Sequence, residues 1–173
     1  MMKRALPWIL ATLLLGVGLH IALVYALPQL VMMRAFSLLG TPNAMHHAPR
    51  VDASSRTIVR PSPDLLYSDC PFDLTRGPLR VNAVVPNGTY WSVSAFDSRT
   101  NNFFVLDDRD VKGDVDFVLV AKGAAIHAGA LPVVISPSEH GVLLFRTLIN
   151  DDSHFAALDA ARRKANCKPF TGE

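Results

Sequence analysis

The sequence predicts a mainly β fold: an antiparallel β-sandwich or jelly-roll-like domain with one C-terminal helix, preceded by an N-terminal transmembrane helix. Three observations predict it. Residues 5–33 contain no Asp, Glu, Lys or Arg, and about 20 apolar residues suffice to cross a hydrocarbon core. From Pro78 onward apolar residues recur with period two, in strand-length runs separated by turns, as antiparallel sheets require. Helical spacing returns only after Asp151.

The anchor comes first. Lys3 and Arg4 precede the apolar run and Arg34 ends it. Trp8 and Tyr25 sit about 25 Å apart at helical rise, which suits the two aromatic interface belts. A cleaved signal peptide is the alternative, with Val24-Tyr25-Ala26 as its cleavage site, but signal h-regions run only about 7–15 residues. Basic residues cluster on the N-terminal flank, so the N-terminus is expected to stay cytoplasmic and the rest to be exported. Pro28 is expected to end the straight span, leaving Leu30 to Leu39 as a short interfacial helix.

Composition bounds the remainder. Three of the 17 basic residues precede residue 35 and no acid precedes Asp52, so residues 35–173 carry 14 basic against 15 acidic side chains. A nucleic-acid binder would show a basic stripe, and the single cluster Arg162-Arg163-Lys164 better complements the C-terminal end of a helix dipole. Cys70 and Cys167 lie in the exported part, where an even cysteine number suggests one disulfide. Two unrelated buried thiols are the alternative.

Residues 40–64 read as a tether punctuated by Gly40, Pro42, Asn43, Pro49, Pro61 and Pro63, with Ile58-Val59 as a short strand. Leu79 to Val85 alternates as a first confident strand, and Pro86-Asn87-Gly88-Thr89 with Tyr90 to Phe96 completes an expected hairpin. Further strands are expected at Asn102–Leu106, Val115–Ala121, Leu131–Ser136 and Gly141–Ile149. Asp151, Asp152 and Ser153 can cap the closing helix, whose stripe of Phe155, Leu158, Ala161 and Ala165 would dock on the sheet. The organisation predicted is residues 1–34 as n-region and anchor, 35–63 as interfacial helix and Pro-rich tether, and 64–173 as the exported β-rich domain.

The segments Asp73-Leu74-Thr75-Arg76-Gly77-Pro78-Leu79-Arg80-Val81, Tyr90 to Asp97 and Thr100-Asn101-Asn102-Phe103 resemble the core of the family called domain of unknown function 1254. Arg109 and Gly113 match that family's later Arg-plus-Gly loop. The chain is similar to short, singly anchored members with one cysteine before the Asp-Leu segment and one near the end, as Cys70 and Cys167 are. The resemblance implies a β-rich fold and a membrane-bound partner carrying domain of unknown function 1214, and the expected location is the bacterial inner membrane, with the N-terminus cytoplasmic and the C-terminal domain periplasmic. It implies no reaction and no cofactor.

Chemistry-bearing clusters are weak. Placing Asp108 at position 1 of a calcium loop puts Asp110 at 3 and Gly113 at 6, but Lys112 falls at 5 and Leu119 at 12, where a bidentate Glu belongs. His46-His47 lacks a third metal ligand at useful spacing and reads as part of a flexible tether. His20, inside the span, hints at helix–helix contact. No Gly-x-Ser-x-Gly or His-Glu-x-x-His is present; His127, His140 and His154 could form a triad only in space. Asp73, Gly77, Pro78, Asp97, Thr100, Asn101, Asn102 and Phe103 read as turn and core builders, with the Asn residues suited to αL corners. Tyr90, Trp91, Phe103 and Phe104 would line any ligand cavity. The sequence therefore favours an interaction module over an enzyme, with a periplasmic hydrolase or a small-ligand or lipid-binding protein as the alternative.

Overall fold

A computed structural model describes residues 2–56, 58, 60–111 and 113–172; Val59 of the expected short strand and Lys112 of the acidic loop lie outside them. The chain opens with α1 (Met2–Leu38), a helix long and apolar enough to cross a membrane. It passes through Pro28 rather than ending there. The pyrrolidine ring holds φ near its helical value, but Pro28 removes one donor to the preceding turn and crowds the carbonyl four residues back, a cost of about 3 kcal/mol that the long helix absorbs.

Among the described residues nine strands follow: β1 (His46–His47), β2 (Leu65–Asp73), β3 (Leu79–Ala83), β4 (Trp91–Asp97), β5 (Asn102–Asp107), β6 (Val115–Ala121), β7 (Val133–Ser136), β8 (His140–Leu148) and β9 (Asn166–Pro169). A short helix α2 (Phe155–Arg162) precedes β9. One sheet has the order β1-β2-β8-β4-β5 and the other β7-β6-β3-β9. The expected all-antiparallel arrangement does not hold: β7 runs parallel to β6. Residues 122–132 carry the chain back to the starting end of β6, the crossover that parallel pairing needs.

The expected hairpin around Asn87-Gly88 is also corrected. Its turn forms, with Gly88 at φ 74°, yet its arms enter different sheets: β3 pairs with β6 and β9, β4 with β8 and β5. A turn signal reports a chain reversal, and seven residues (84–90) suffice to step between sheets. The adjacent hairpin is instead β4–β5.

The inward faces of both sheets meet in one buried cluster. Cys70 and Phe72 of β2, Trp91 and Val93 of β4 and Phe145 of β8 come from the first sheet, Val81 of β3 and Phe117 and Leu119 of β6 from the second. Full burial of each large apolar side chain contributes about 1.5–3 kcal/mol. The Cys70–Cys167 disulfide ties β2 to β9, and so one sheet to the other.

Pro71 lies in the interior of β2 without breaking it. Its carbonyl, like that of Tyr67, accepts from the segment after α1 (Asn43 N–H at 2.8 Å, Ala48 N–H at 3.1 Å). Odd residues of β2 thus turn their backbone groups away from β8, and the donor that proline lacks is not one the β2–β8 ladder uses.

Candidate functional site: the α1 junction and the sheet edges

Residues 42–48, expected as free tether, lie half-buried along the edge of β2. Asn43, at φ 61°, is fitted to that edge on both sides of its amide: its Nδ2 donates to Asp73 O (2.9 Å) and its Oδ1 accepts from Asp73 N–H (2.7 Å). His46 and His47 pair with Asp69 and Ser68. His46 Nε2 meets Thr41 O at 2.8 Å, and His47 Nδ1 meets Ser68 Oγ at 2.8 Å. The His47–Ser68 pair has the spacing of a base and nucleophile, but Ser68 is buried.

Arg162, read from sequence as dipole compensation, instead fastens this segment. It is only 5% exposed. Its Nη2 donates to Ala48 O (2.7 Å), its Nη1 to Tyr67 O (2.5 Å), and its Nε to Asp159 Oδ1 (2.7 Å). One guanidinium thus holds the linker, β2 and α2 together, a use that suits its planar fork. Burial, and then the nearby Arg162 and Arg163 charges, hold the His47 pKa below its ordinary value. Burial pushes Asp69 up to about 6, with His46 as the counteracting charge. Among the described residues Asp69 Oδ2 has no hydrogen-bond partner.

The quoted motif residues gather mainly at the end of the first sheet where α1 arrives. Asp73 and Asp97 are register partners of His140 and Gly141, so they flank the start of β8. Asp73 Oδ1 caps Thr75 N–H at 3.0 Å, and its side-chain bond to Thr75 heads the causes that lower its pKa. Gly77, at φ 117°, turns the chain toward Pro78, whose carbonyl accepts from Phe170 N–H. Asp97 accepts from Arg99 N–H, Asn101 N–H and Asn101 Nδ2 at 2.8–2.9 Å. The left-handed residue in this corner is Thr100 (φ 67°), not an asparagine; Asn101 serves through its donors and Asn102 begins β5. Phe103 meets Phe72 edge-on at 6.4 Å. From α1, Phe36 meets the His140 ring edge-on at 5.8 Å. A Cβ on Gly141 would collide with Phe96 O and the Phe72 ring, so this crossing accepts no side chain.

Arg109 and Gly113 lie elsewhere. Arg109 pairs with Asp107 on the surface at 2.7 Å, and Gly113 (φ 96°) borders a recess of about 620 Å³ with Tyr90, Asp108 and Val111. Of the other expected cavity-lining aromatics, Trp91 is buried in the core, and Phe103 and Phe104 pack partly buried against it. A second recess of about 420 Å³ is lined by Arg80, His127 and Lys168. The three candidate triad histidines are dispersed: His127 in that recess, His140 beside Asp73, and His154 against Asn150. Among the described residues no three His, Cys, Asp or Glu side chains are grouped to hold a metal.

The free edges carry apolar side chains. Val133 and Ile135 of β7 are 43% and 60% exposed, and β7 ends its sheet. Pro132 precedes it, its carbonyl accepting from Val118 N–H, so the proline falls at a strand start as a sheet tolerates.

A family described as "Protein of unknown function (DUF1254)" matches residues 42–169. The crystal structure of the VPA0106 protein from Vibrio parahaemolyticus is similar with TM-score 0.68 and 16% identity, over 86% of this chain and 37% of that one. An uncharacterised Burkholderia cenocepacia protein aligns at TM-score 0.48 and 17% identity, over 83% of this chain and 39% of that one. The chain thus spans well under half the length of these structures. No curated protein matches it.

Proposed function

The chain belongs to the DUF1254 family, and from that premise we propose that it is a single-pass inner-membrane protein whose periplasmic β-sandwich domain docks a second membrane protein. The N-terminus is cytoplasmic, and the partner carries domain of unknown function 1214. The observation behind this reading is β7: a terminal strand with exposed Val133 and Ile135. Proteins normally blunt such edges with charge, bulges or a covering element. A partner strand laid along β7 would pair its backbone and cover both side chains, the β-augmentation mode of recognition.

The test is co-purification of the full chain from native membranes in mild detergent. A protein bearing the partner domain should co-elute, and Ile135→Lys should abolish its recovery while leaving the chain folded. Equal recovery with Ile135→Lys would refute docking at β7, and failure to recover any such partner would refute the reading as a whole.

A further inference from the structure

The contact between anchor and domain contains an unmet charge. Asp69 sits in the middle of β2, 7% exposed, with Oδ2 lacking any donor among the described residues. Its lateral partners are Leu144 of β8 and His46 of the linker. The charged neighbours are dispersed around it without reaching that oxygen. Arg146, two residues along β8 from Leu144, gives its Nη2 to Ser94 Oγ, and its buried Nε, like Asp69 Oδ2, has no hydrogen-bond partner among the described residues. His140 is paired with Asp73, and Arg162 and Arg163 are engaged by Asp159. His47 is turned to Ser68. His46 supplies the one resolved charge interaction. A buried carboxylate without donors is costly, whereas the neutral acid is not.

We propose that Asp69 makes this junction a proton-linked joint: a proton on its carboxyl tightens the seating of residues 42–48 on β2 and, with it, the attachment of α1. The geometry makes the segment the movable part. Its one strand among the described residues is two residues long; otherwise it is held by the Asn43 and Ala48 amides on Pro71 O and Tyr67 O, by Asn43 on Asp73, by His47 on Ser68 and by Arg162 on Ala48. β8, on the other side of Asp69, is held along nine register pairs.

The sign follows from linkage. With the segment seated, the Asp69 pKa is raised to about 6; unseated, it returns toward an ordinary carboxyl value of about 4. The seated form then binds the proton more tightly, so seating strengthens as pH falls through that window and weakens as pH rises through it. His47 acts in the opposite sense, because its pKa is lowered by burial and by Arg162 and Arg163.

Residue-resolved amide hydrogen exchange on the full chain in lipid nanodiscs tests this. Exchange is corrected for its intrinsic pH dependence. Protection of the Asn43 and Ala48 amides should be about tenfold greater at pH 5 than at pH 7, while Val93 and Leu143 in the core stay constant. Asp69→Asn should hold both amides at the pH 5 level throughout, and His47→Gln should steepen the wild-type response. Protection of Asn43 and Ala48 that is equal at both pH values, or lower at pH 5, overturns the proposal. So does an Asp69→Asn chain that keeps the dependence, or core amides that shift in parallel.

Discussion

Replacing Arg162 by methionine isolates the fastening of the linker. Methionine keeps most of the apolar stem but removes donors from Ala48 O, Tyr67 O and Asp159. Hydrogen bonds from a charged donor are worth about 1.5–3 kcal/mol each, and removing one partner of a buried ion pair costs about 3–5 kcal/mol. Two considerations favour the lower end. Asp159 keeps Arg163 at 2.8 Å, and the two carbonyls lie at an edge that water reaches once the linker moves. The expected loss is therefore about 3 kcal/mol, a large part of the roughly 5–15 kcal/mol that holds an ordinary domain. Urea unfolding of the full chain in detergent measures it, in a Trp8→Phe background so that buried Trp91 alone reports. Arg162→Lys should recover part of the loss, since one ammonium cannot span Ala48, Tyr67 and Asp159 together. A loss below about 1 kcal/mol would show that the buried guanidinium fastens nothing.

Three further outcomes are expected. Replacing Cys70 and Cys167 together by alanine should cost about 4–5 kcal/mol, because the bridge closes a loop of about 97 residues; unchanged unfolding midpoints with and without the bridge would contradict this. Mass spectrometry of membrane-extracted protein should find residues before Ala26 attached, and a mature chain starting at Leu27 would exclude the anchor. Asp97→Ala removes the acceptor of three hydrogen bonds at the β4–β5 corner and should cost about 1–3 kcal/mol, with increased exchange at the Arg99 and Asn101 amides; unchanged exchange there would argue against the cap.

Strands were legible where period-two alternation was clean. The run expected at Val115–Ala121 is β6 to the residue, and five other runs came within two residues at either end. β2 is not legible in the sequence because its inward row includes Ser68 beside Cys70 and because Pro71 reads as a breaker. Only the observation that its odd backbone groups face the linker removes that objection. β9 has four residues, too few to show a period. The motif residues could be quoted singly, but the meeting of Asp73 and Asp97 across His140 and Gly141 is a matter of register, set by strands far apart in sequence. Arg162 did leave a trace: it lies four residues after Leu158 and three before Ala165, on the docked stripe rather than the solvated face. A cation at such a position calls for buried acceptors.

Pro71 also limits what could take the linker's place. A foreign strand that displaced residues 42–48 would find acceptors at Tyr67 and Pro71 but no donor at Pro71. Pairing in a regular ladder would lose a rung there, two residues before the strand's end. β2, which the linker covers on its outer side, therefore carries its own stop against templated growth, positioned where the native linker makes its fit through the carbonyl of Pro71 and both backbone groups of Asp73. The chain's own segment fits that gap; a generic β-strand meets it as a defect.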